Sequence, residues 1–182
     1  MRISGGDARG IRLRVPAGAR PASEKVRQAI FSSLAAFVPG ARVLDLYCGS
    51  GAYGLEALSR GADSAVFVDR DASAVAAAKA NAVAAGLEEH AGFRRSDAGR
   101  YLKTRAKSDG PFDLVFADPP YSDPAALVAA VQGVAPAVPR GGRVVCEGRK
   151  GAGPPPPAAG YVLEADRRYG DTRVLVYRRE ED

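Results

Sequence analysis

Short apolar runs alternate with alanine-rich stretches from Val43 onward. The runs are Val43 to Leu46, Ala65 to Val68, Gly92 to Arg94, Phe112 to Ala117 and Val144 to Cys146. Between them, Tyr53 to Ser59, Ala72 to Ala85, Ala98 to Arg105 and Pro124 to Val134 read as helices, since alanine favours helix and close packing. Gly61 and Gly86 stand where C-caps belong. The alternation predicts an α/β fold, a mostly parallel sheet with helices on both faces. After Cys146 the pattern changes. Gly151 to Pro157 reads as a connector stiffened locally toward polyproline II. Tyr161 to Ala165 and Arg173 to Tyr177 alternate about the turn sequence Tyr169-Gly170-Asp171-Thr172, so the sheet is expected to end in an antiparallel hairpin.

Ahead of this domain, residues 41–182, lies an extension of residues 1–40. Arg2-Ile3-Ser4 and Ile11 to Val15 flank a glycine-rich turn and predict a short hairpin, and Pro16 to Pro21 breaks regular structure. Val26, Ala29, Ile30, Leu34 and Phe37 recur at helical spacing, with Ser23 as candidate N-cap and Pro39-Gly40 as a stop. No internal repeat is evident.

Composition narrows the class. A chain of 182 residues suits a single core, and 46% hydrophobic with 26% charged residues is ordinary for a globular protein. No apolar stretch approaches the roughly 20 residues that span a bilayer. No signal-peptide pattern opens the chain, and Cys48 and Cys146 fit neither a disulfide framework nor a metal-ligand spacing. A monomeric protein of the reducing cytoplasm, with no membrane partner and no metal, is the expectation. The net charge of +5 is localised: Arg2, Arg9, Arg12, Arg14, Arg20, Lys25 and Arg27 face only Asp7 and Glu24, and the rest of the chain sums to zero. Two readings are open, a solvated face or a phosphate-binding arm.

The candidate chemistry sits at predicted strand ends. Gly49-Ser50-Gly51-Ala52-Tyr53-Gly54 follows the first strand, where glycines allow a ligand to approach backbone N–H groups and a helix N-terminus. A dinucleotide site, or a turn that only packs strand on helix, has the same pattern. Asp45, four positions before Gly49, favours another ligand: its anion would oppose a pyrophosphate but suits the cationic amino-acid end of S-adenosylmethionine. Asp69, ending the second strand, is placed to accept from ribose hydroxyls. Asp97, with Ala98 beside it, is either an adenine-amine acceptor or the N-cap of the next helix. Asp71 reads as a cap.

Asp118-Pro119-Pro120-Tyr121 closes the fourth run. Proline biases Asp118 to extended backbone, which sets its carboxylate beside the Pro119 carbonyl. Both can accept from an amine whose lone pair is delocalised into a ring, and Tyr121 can stack on that ring. Methyl transfer to a planar exocyclic amine is the chemistry this serves. His90 and Cys48 read as surface and packing residues, while Glu147 stays ambiguous between an ion pair and the pocket lining.

With these residues in view, the chain resembles the RsmD family of bacterial 16S ribosomal RNA guanine-N2 methyltransferases, nearly end to end. The matching pieces are Arg2 to Gly6, Arg20-Pro21 with Val26-Arg27 and Phe31, Leu44 to Gly51, Gly54 to Ala62, Asn81, Asp118 to Tyr121 and Tyr169 to Thr172. It departs at Ala22-Ser23, at Tyr53 where an aliphatic is common, and at Asp69 where glutamate is frequent. The resemblance implies a Rossmann-like methyltransferase fold with a seven-stranded sheet, S-adenosyl-L-methionine as cofactor bound by Asp45, Gly49, Gly51, Gly54, Asp69, Asp97 and Ala98, and catalysis by Asp118, Pro119 and Tyr121. It further implies 16S rRNA as partner, within an assembling small subunit, held by Arg2, Arg9, Arg12, Arg14, Arg20 and Arg27. A DNA adenine-N6 or cytosine-N4 methyltransferase is the alternative, although such enzymes carry a target-recognition domain for which this chain has no room. A protein glutamine methyltransferase goes with Asn in place of Asp118. A non-catalytic RNA- or cofactor-binding module would keep Asp45 and Asp69 without needing Asp118 or Tyr121.

Overall fold

The computed structural model describes residues 1–17, 23–151 and 153–181. Its helices are α1 (Glu24–Ser33), α2 (Ala52–Ser59), α3 (Ala72–Ala85), α4 (Ala98–Thr104), α5 (Ala106–Asp109) and α6 (Pro124–Gly133). The strands are β1 (Arg42–Leu46), β2 (Ser64–Asp69), β3 (Ala91–Arg95), β4 (Leu114–Ala117), β5 (Arg143–Arg149), β6 (Tyr161–Tyr169) and β7 (Thr172–Arg179). They form one seven-stranded sheet in the order β3-β2-β1-β4-β5-β7-β6. β1 to β5 pair in parallel, and β7 pairs antiparallel with β5 and β6. Strand order therefore reverses between β1 and β4, which opens a crevice at their carboxyl ends.

Because side chains alternate along a strand, each central strand feeds two cores. Val43, Leu114, Phe116, Val145, Val174 and Val176 pack with Phe31, Leu55 and Ala78 on one face. Leu44, Leu46, Val115, Ala117, Cys146, Leu175 and Tyr177 pack with Tyr101, Leu127 and Val131 on the other. Helix ends follow local chemistry. Asp71 caps α3 by accepting the Ser73 N–H at 2.8 Å, and Gly86 closes it in the left-handed region at φ 67°. Gly61, at φ 91°, follows Arg60, the C-cap of α2. Ser23 occupies the N-cap of α1 but makes no side-chain cap bond, and Phe37 lies beyond that helix. β5, β6 and β7 run longer than the apolar pattern predicted, since antiparallel hydrogen bonding continues through exposed positions such as Arg167 and Arg168.

The amino-terminal hairpin is short. Around an antiparallel bridge between Arg2 and Arg12, Ile3 N–H donates to the Ile11 carbonyl at 3.0 Å, Gly10 N–H to the Ile3 carbonyl at 2.9 Å and Leu13 N–H to the Met1 carbonyl at 3.0 Å. Its turn is tied to α2. Asp7 N–H donates to the Ser59 carbonyl at 2.8 Å, Ala8 N–H donates to Ser59 Oγ at 2.9 Å, and Ser59 Oγ donates to the Gly5 carbonyl at 2.6 Å. Gly6 sits at φ +76°, and a Cβ there would lie 1.7 Å from the Ser59 oxygen, so only glycine fits. Ile3, Ala8 and Leu13 join the same core as α1 and α2, so the extension packs continuously with the sheet.

A buried carboxylate organises this docking. Glu56 is fully buried, accepting from Ser4 N–H at 2.8 Å, Ser4 Oγ at 2.6 Å and Arg27 Nε at 3.1 Å, with Arg60 Nη2 at 2.8 Å. Burial pushes its carboxyl up, yet the Ser4 hydrogen bonds, Arg60 and Arg27 outweigh that and hold it below the usual range. Arg27 also donates to the Arg2 carbonyl. Removing one partner of a buried pair leaves the other charge uncompensated, so Glu56→Ala is expected to destabilise the protein by about 3–5 kcal/mol. Urea denaturation checks this, and a loss below about 1 kcal/mol would mean the pair contributes no more than an exposed one.

Candidate active site

A cavity of about 560 Å³ lies over the crevice at the carboxyl ends of β1, β2 and β4. Asp45, Gly49, Asp69, Asp97, Ala98, Asp118, Pro119 and Tyr121 all line it. The parallel pairing explains the convergence: Asp45 lies opposite both Phe67 and Phe116, so Asp69 and Asp118 each follow two residues beyond that level.

Each carboxylate is held differently. Asp45 is 2% exposed and accepts the Gly54 N–H at 2.9 Å. Burial raises its carboxyl well above the usual range, the Gly54 N–H acts against this, and the negative charges of Asp118 and Asp69 add to the rise. A cationic ligand would relieve that crowding. Asp69 steadies the loop, accepting Gly49 N–H at 3.0 Å on Oδ2 and Asp71 N–H at 2.9 Å on Oδ1. Each of its oxygens retains a second lone pair for a ligand hydroxyl. Asp97 uses Oδ1 to cap α4, accepting Arg100 N–H at 3.0 Å, while still lining the cavity. Its two sequence readings are thus compatible.

The Asp118 to Tyr121 segment leaves β4 directly, with Pro119 buried and Asp118 and Tyr121 partly exposed. The hydroxyls of Tyr121 and Thr172 lie 3.0 Å apart, which joins this segment to the start of β7. Tyr53 stacks on Phe116 with centroids 4.9 Å apart and planes 16° apart, flooring the approach to Asp118 from the α2 side. Tyr47 is the one described non-glycine residue at positive φ, 59°, a conformation that costs a side-chain residue energy and clusters at functional sites. Its phenol is pushed up to about 12 by burial, with Asp97 and Asp123 adding to the shift.

Several predicted residues serve otherwise than expected. Gly51 and Gly54 are not on the cavity wall. Gly51, at φ 78°, opens α2, and a Cβ on Gly54 would meet the Phe67 ring at 2.3 Å, so both shape the loop by close packing. Arg27 is a correction as an RNA contact: it is 0% exposed and committed to Glu56 and the Arg2 carbonyl. Arg2, Arg9, Arg12 and Arg14 are exposed, and Arg20 lies outside the described residues. Cys48 and Glu147 are buried, Cys48 on the cavity wall, and burial drives the Cys48 thiol far up. His90 is exposed, its Nδ1 3.0 Å from the Asp63 carbonyl.

Sequence reasoning missed Val15, Tyr47 and Asp123 on the cavity wall. It noted Asn81 without a role. Asn81 is buried on α3, where it accepts Arg14 N–H at 2.8 Å and donates to the carbonyls of Arg14 and Ser50, each at 2.9 Å. One amide thus ties the arginine-bearing arm to the glycine loop and brings Val15 to the cavity. No local pattern signals a contact this far apart in sequence.

The family model described as conserved hypothetical protein 95 matches residues 1–178. The chain is 35% identical over 183 residues to the putative rRNA methyltransferase YlbH of Bacillus subtilis, covering 98% of this chain and 99% of that protein. It is 39% identical over 123 residues to ribosomal RNA small subunit methyltransferase D of Escherichia coli, an alignment of 66% of this chain and 60% of that protein. Among solved structures, a putative methyltransferase from Escherichia coli superposes with a TM-score of 0.88 at 30% identity, covering 100% of this chain and 99% of that one. A putative methylase from Haemophilus influenzae gives 0.79 at 26% identity over 99% and 98%.

A raised carboxyl makes the folded state bind a proton that the unfolded chain releases. Asp45 therefore stabilises least where it is forced to ionise, and its contribution falls as pH rises from about 4. Asp45→Asn removes this dependence. In the ligand-free protein, the denaturation midpoint of the variant minus that of the wild type should increase between about pH 4 and 7, and a constant difference would show that Asp45 titrates normally.

Proposed function

The chain belongs to the RsmD family, and we propose that it transfers a methyl group from S-adenosylmethionine to the exocyclic N2 of a guanine in small-subunit ribosomal RNA. The carrying observation is that Asp118, Pro119 and Tyr121 share one cavity with Asp45 and Asp69. The donor set suits this cofactor: a buried carboxylate crowded by other anions for an ammonium group, a strand-end carboxylate for a ribose diol, and a half-buried turn at Gly49 with open space beside its Cα for close approach.

When bound, S-adenosylmethionine supplies a methyl carbon on a sulfonium, which the guanine nitrogen attacks as the carbon–sulfur bond breaks. Asp118 and the Pro119 carbonyl accept from the amine and turn its lone pair out of the ring plane. Tyr121, steadied through Thr172, stacks on the base. Positive charge develops on the nitrogen, and the Asp118 carboxylate stabilises it before the proton leaves. Holding the amine in line contributes much of the rate. Such enzymes reach a base only when it is unstacked, so the target belongs in a loop, with its backbone held by arginines. Arg2, Arg9, Arg12 and Arg14 supply these on the arm beside the cavity.

Two experiments test the reading. Asp118→Ala should lower methyl transfer to unmodified small-subunit RNA by about 100-fold or more, with affinity for S-adenosylhomocysteine held within about twofold, and mass spectrometry of the wild-type product should locate the methyl on guanine N2. Unchanged turnover in the variant removes Asp118 from catalysis, and a methyl on another base overturns the specificity. Replacing Arg9, Arg12 and Arg14 by Gln should reduce the slope of log affinity for RNA against log salt by about 2–3. An unchanged slope would make these arginines a solvated face.

A further inference from the structure

Beyond Arg27 the charges sum to zero, but the fold does not spread them evenly. Register sets Arg149 of β5 opposite Thr172 of β7, and Arg167 and Arg168 of β6 opposite Val174 and Arg173. Lys150 follows Arg149 and donates its backbone N–H to the Asp171 backbone carbonyl at 2.9 Å. Two basic pairs, far apart in sequence, are thus set at the ends of three adjacent strands, and since β6 is an edge strand whose side chains alternate, Arg167 on the face of Val174 and Arg168 on the face of Arg173 straddle the edge of the sheet. Adjacent strands lie about 4.8 Å apart, so the backbones of the two pairs stand roughly 10 Å from each other. All four side chains are exposed, and none makes an ion pair among the described residues. Of the nearby carboxylates, Asp166 is taken by Arg173 through bonds of 2.8 and 2.6 Å, Glu164 is taken by Arg143 and Arg178, Glu147 is buried, and Asp171 is exposed at the turn.

The position of this edge gives the cluster a use. Thr172, opposite Arg149, is the residue whose hydroxyl meets Tyr121, so the basic edge begins where the catalytic segment ends. The arm approaches from elsewhere, tied by Asn81 of α3 to the glycine loop after β1. In the sheet, β1 and β2 lie to one side of β4, and β5, β7 and β6 lie to the other. Arm and edge therefore flank the cavity. A nucleotide within a strand has backbone leaving it in two directions, and extruding its base requires both to be held.

We propose that Arg149, Lys150, Arg167 and Arg168 form a second phosphate-binding site for the RNA, which grips the backbone on the side of the target nucleotide opposite the arm. This rests on the RNA reading above. Arginine's planar fork suits phosphate oxygens, and open strand ends leave it free to reach them.

The test measures equilibrium binding of the full-length protein to transcribed small-subunit ribosomal RNA across a salt series, with two variants, Arg149→Gln/Lys150→Gln and Arg167→Gln/Arg168→Gln. Each should weaken binding about tenfold and lower the salt slope by about 1.5, as loss of two phosphate contacts requires. Affinity for S-adenosylhomocysteine and the thermal midpoint should match the wild type. If wild type binds and both variants keep its slope, the edge is a solvated face and the proposal falls while the RNA reading stands. If wild type itself fails to bind RNA, both fall. An unaltered RNA slope with lost binding of polyglutamate would assign the edge to an acidic polypeptide instead.

Discussion

The Glu56 carboxylate, buried between Arg27, Arg60 and Ser4, is the interaction on which the arrangement around the cavity depends. It joins three segments that no backbone ladder connects: the arm at Ser4, α1 at Arg27 and α2 itself. A charge without solvent demands its partners, so the arm cannot leave α2 without exposing or orphaning an ion. α2 in turn starts at Ala52, after its N-cap Gly51, and its first residues continue the cavity wall formed by the loop before it. Anchoring the arm at Glu56 and again at Asn81 fixes where the exposed arginines stand relative to the carboxylates below.

Those carboxylates are themselves in tension. Asp45, Asp69 and Asp118 lie close enough for the latter two to raise the first. Folding accepts this because Gly54 N–H and Gly49 N–H each satisfy one oxygen. An anionic cavity beside basic surfaces is a consistent design for a cationic cofactor and a polyanionic substrate. In the proposed reaction the cofactor's charge would be attracted inward and the phosphates would be held at the rim.

What was legible depended on how local the cause was. The limits of α3 follow from Asp71 and Gly86, both of which act on their own neighbours, and they agree with the predicted Ala72 to Ala85. Alternation of apolar runs with alanine-rich stretches gave the parallel sheet, because burial on both faces leaves a continuous apolar signature. The arm's short hairpin was legible but its docking on α2 was not, because the partners there, Ser59 and Glu56, lie some fifty positions away. Arg27 failed as an outward cation for the same reason, since its counter-ion comes from another helix.

The sequence by itself determined which residues lie at or just beyond the carboxyl ends of the strands, Asp45, Asp69, Asp97 and Asp118, because apolar runs and turn residues mark the strand limits locally. Only the tertiary structure decided which charges are spent and which remain available. Long-range pairing buried Arg27 against Glu56, stacked Tyr53 on Phe116, and used register to gather Arg149, Lys150, Arg167 and Arg168 at one edge of a segment whose summed charge is zero. Charge is additive along a chain, but electrostatic potential depends on distance in space, and the fold alone sets those distances.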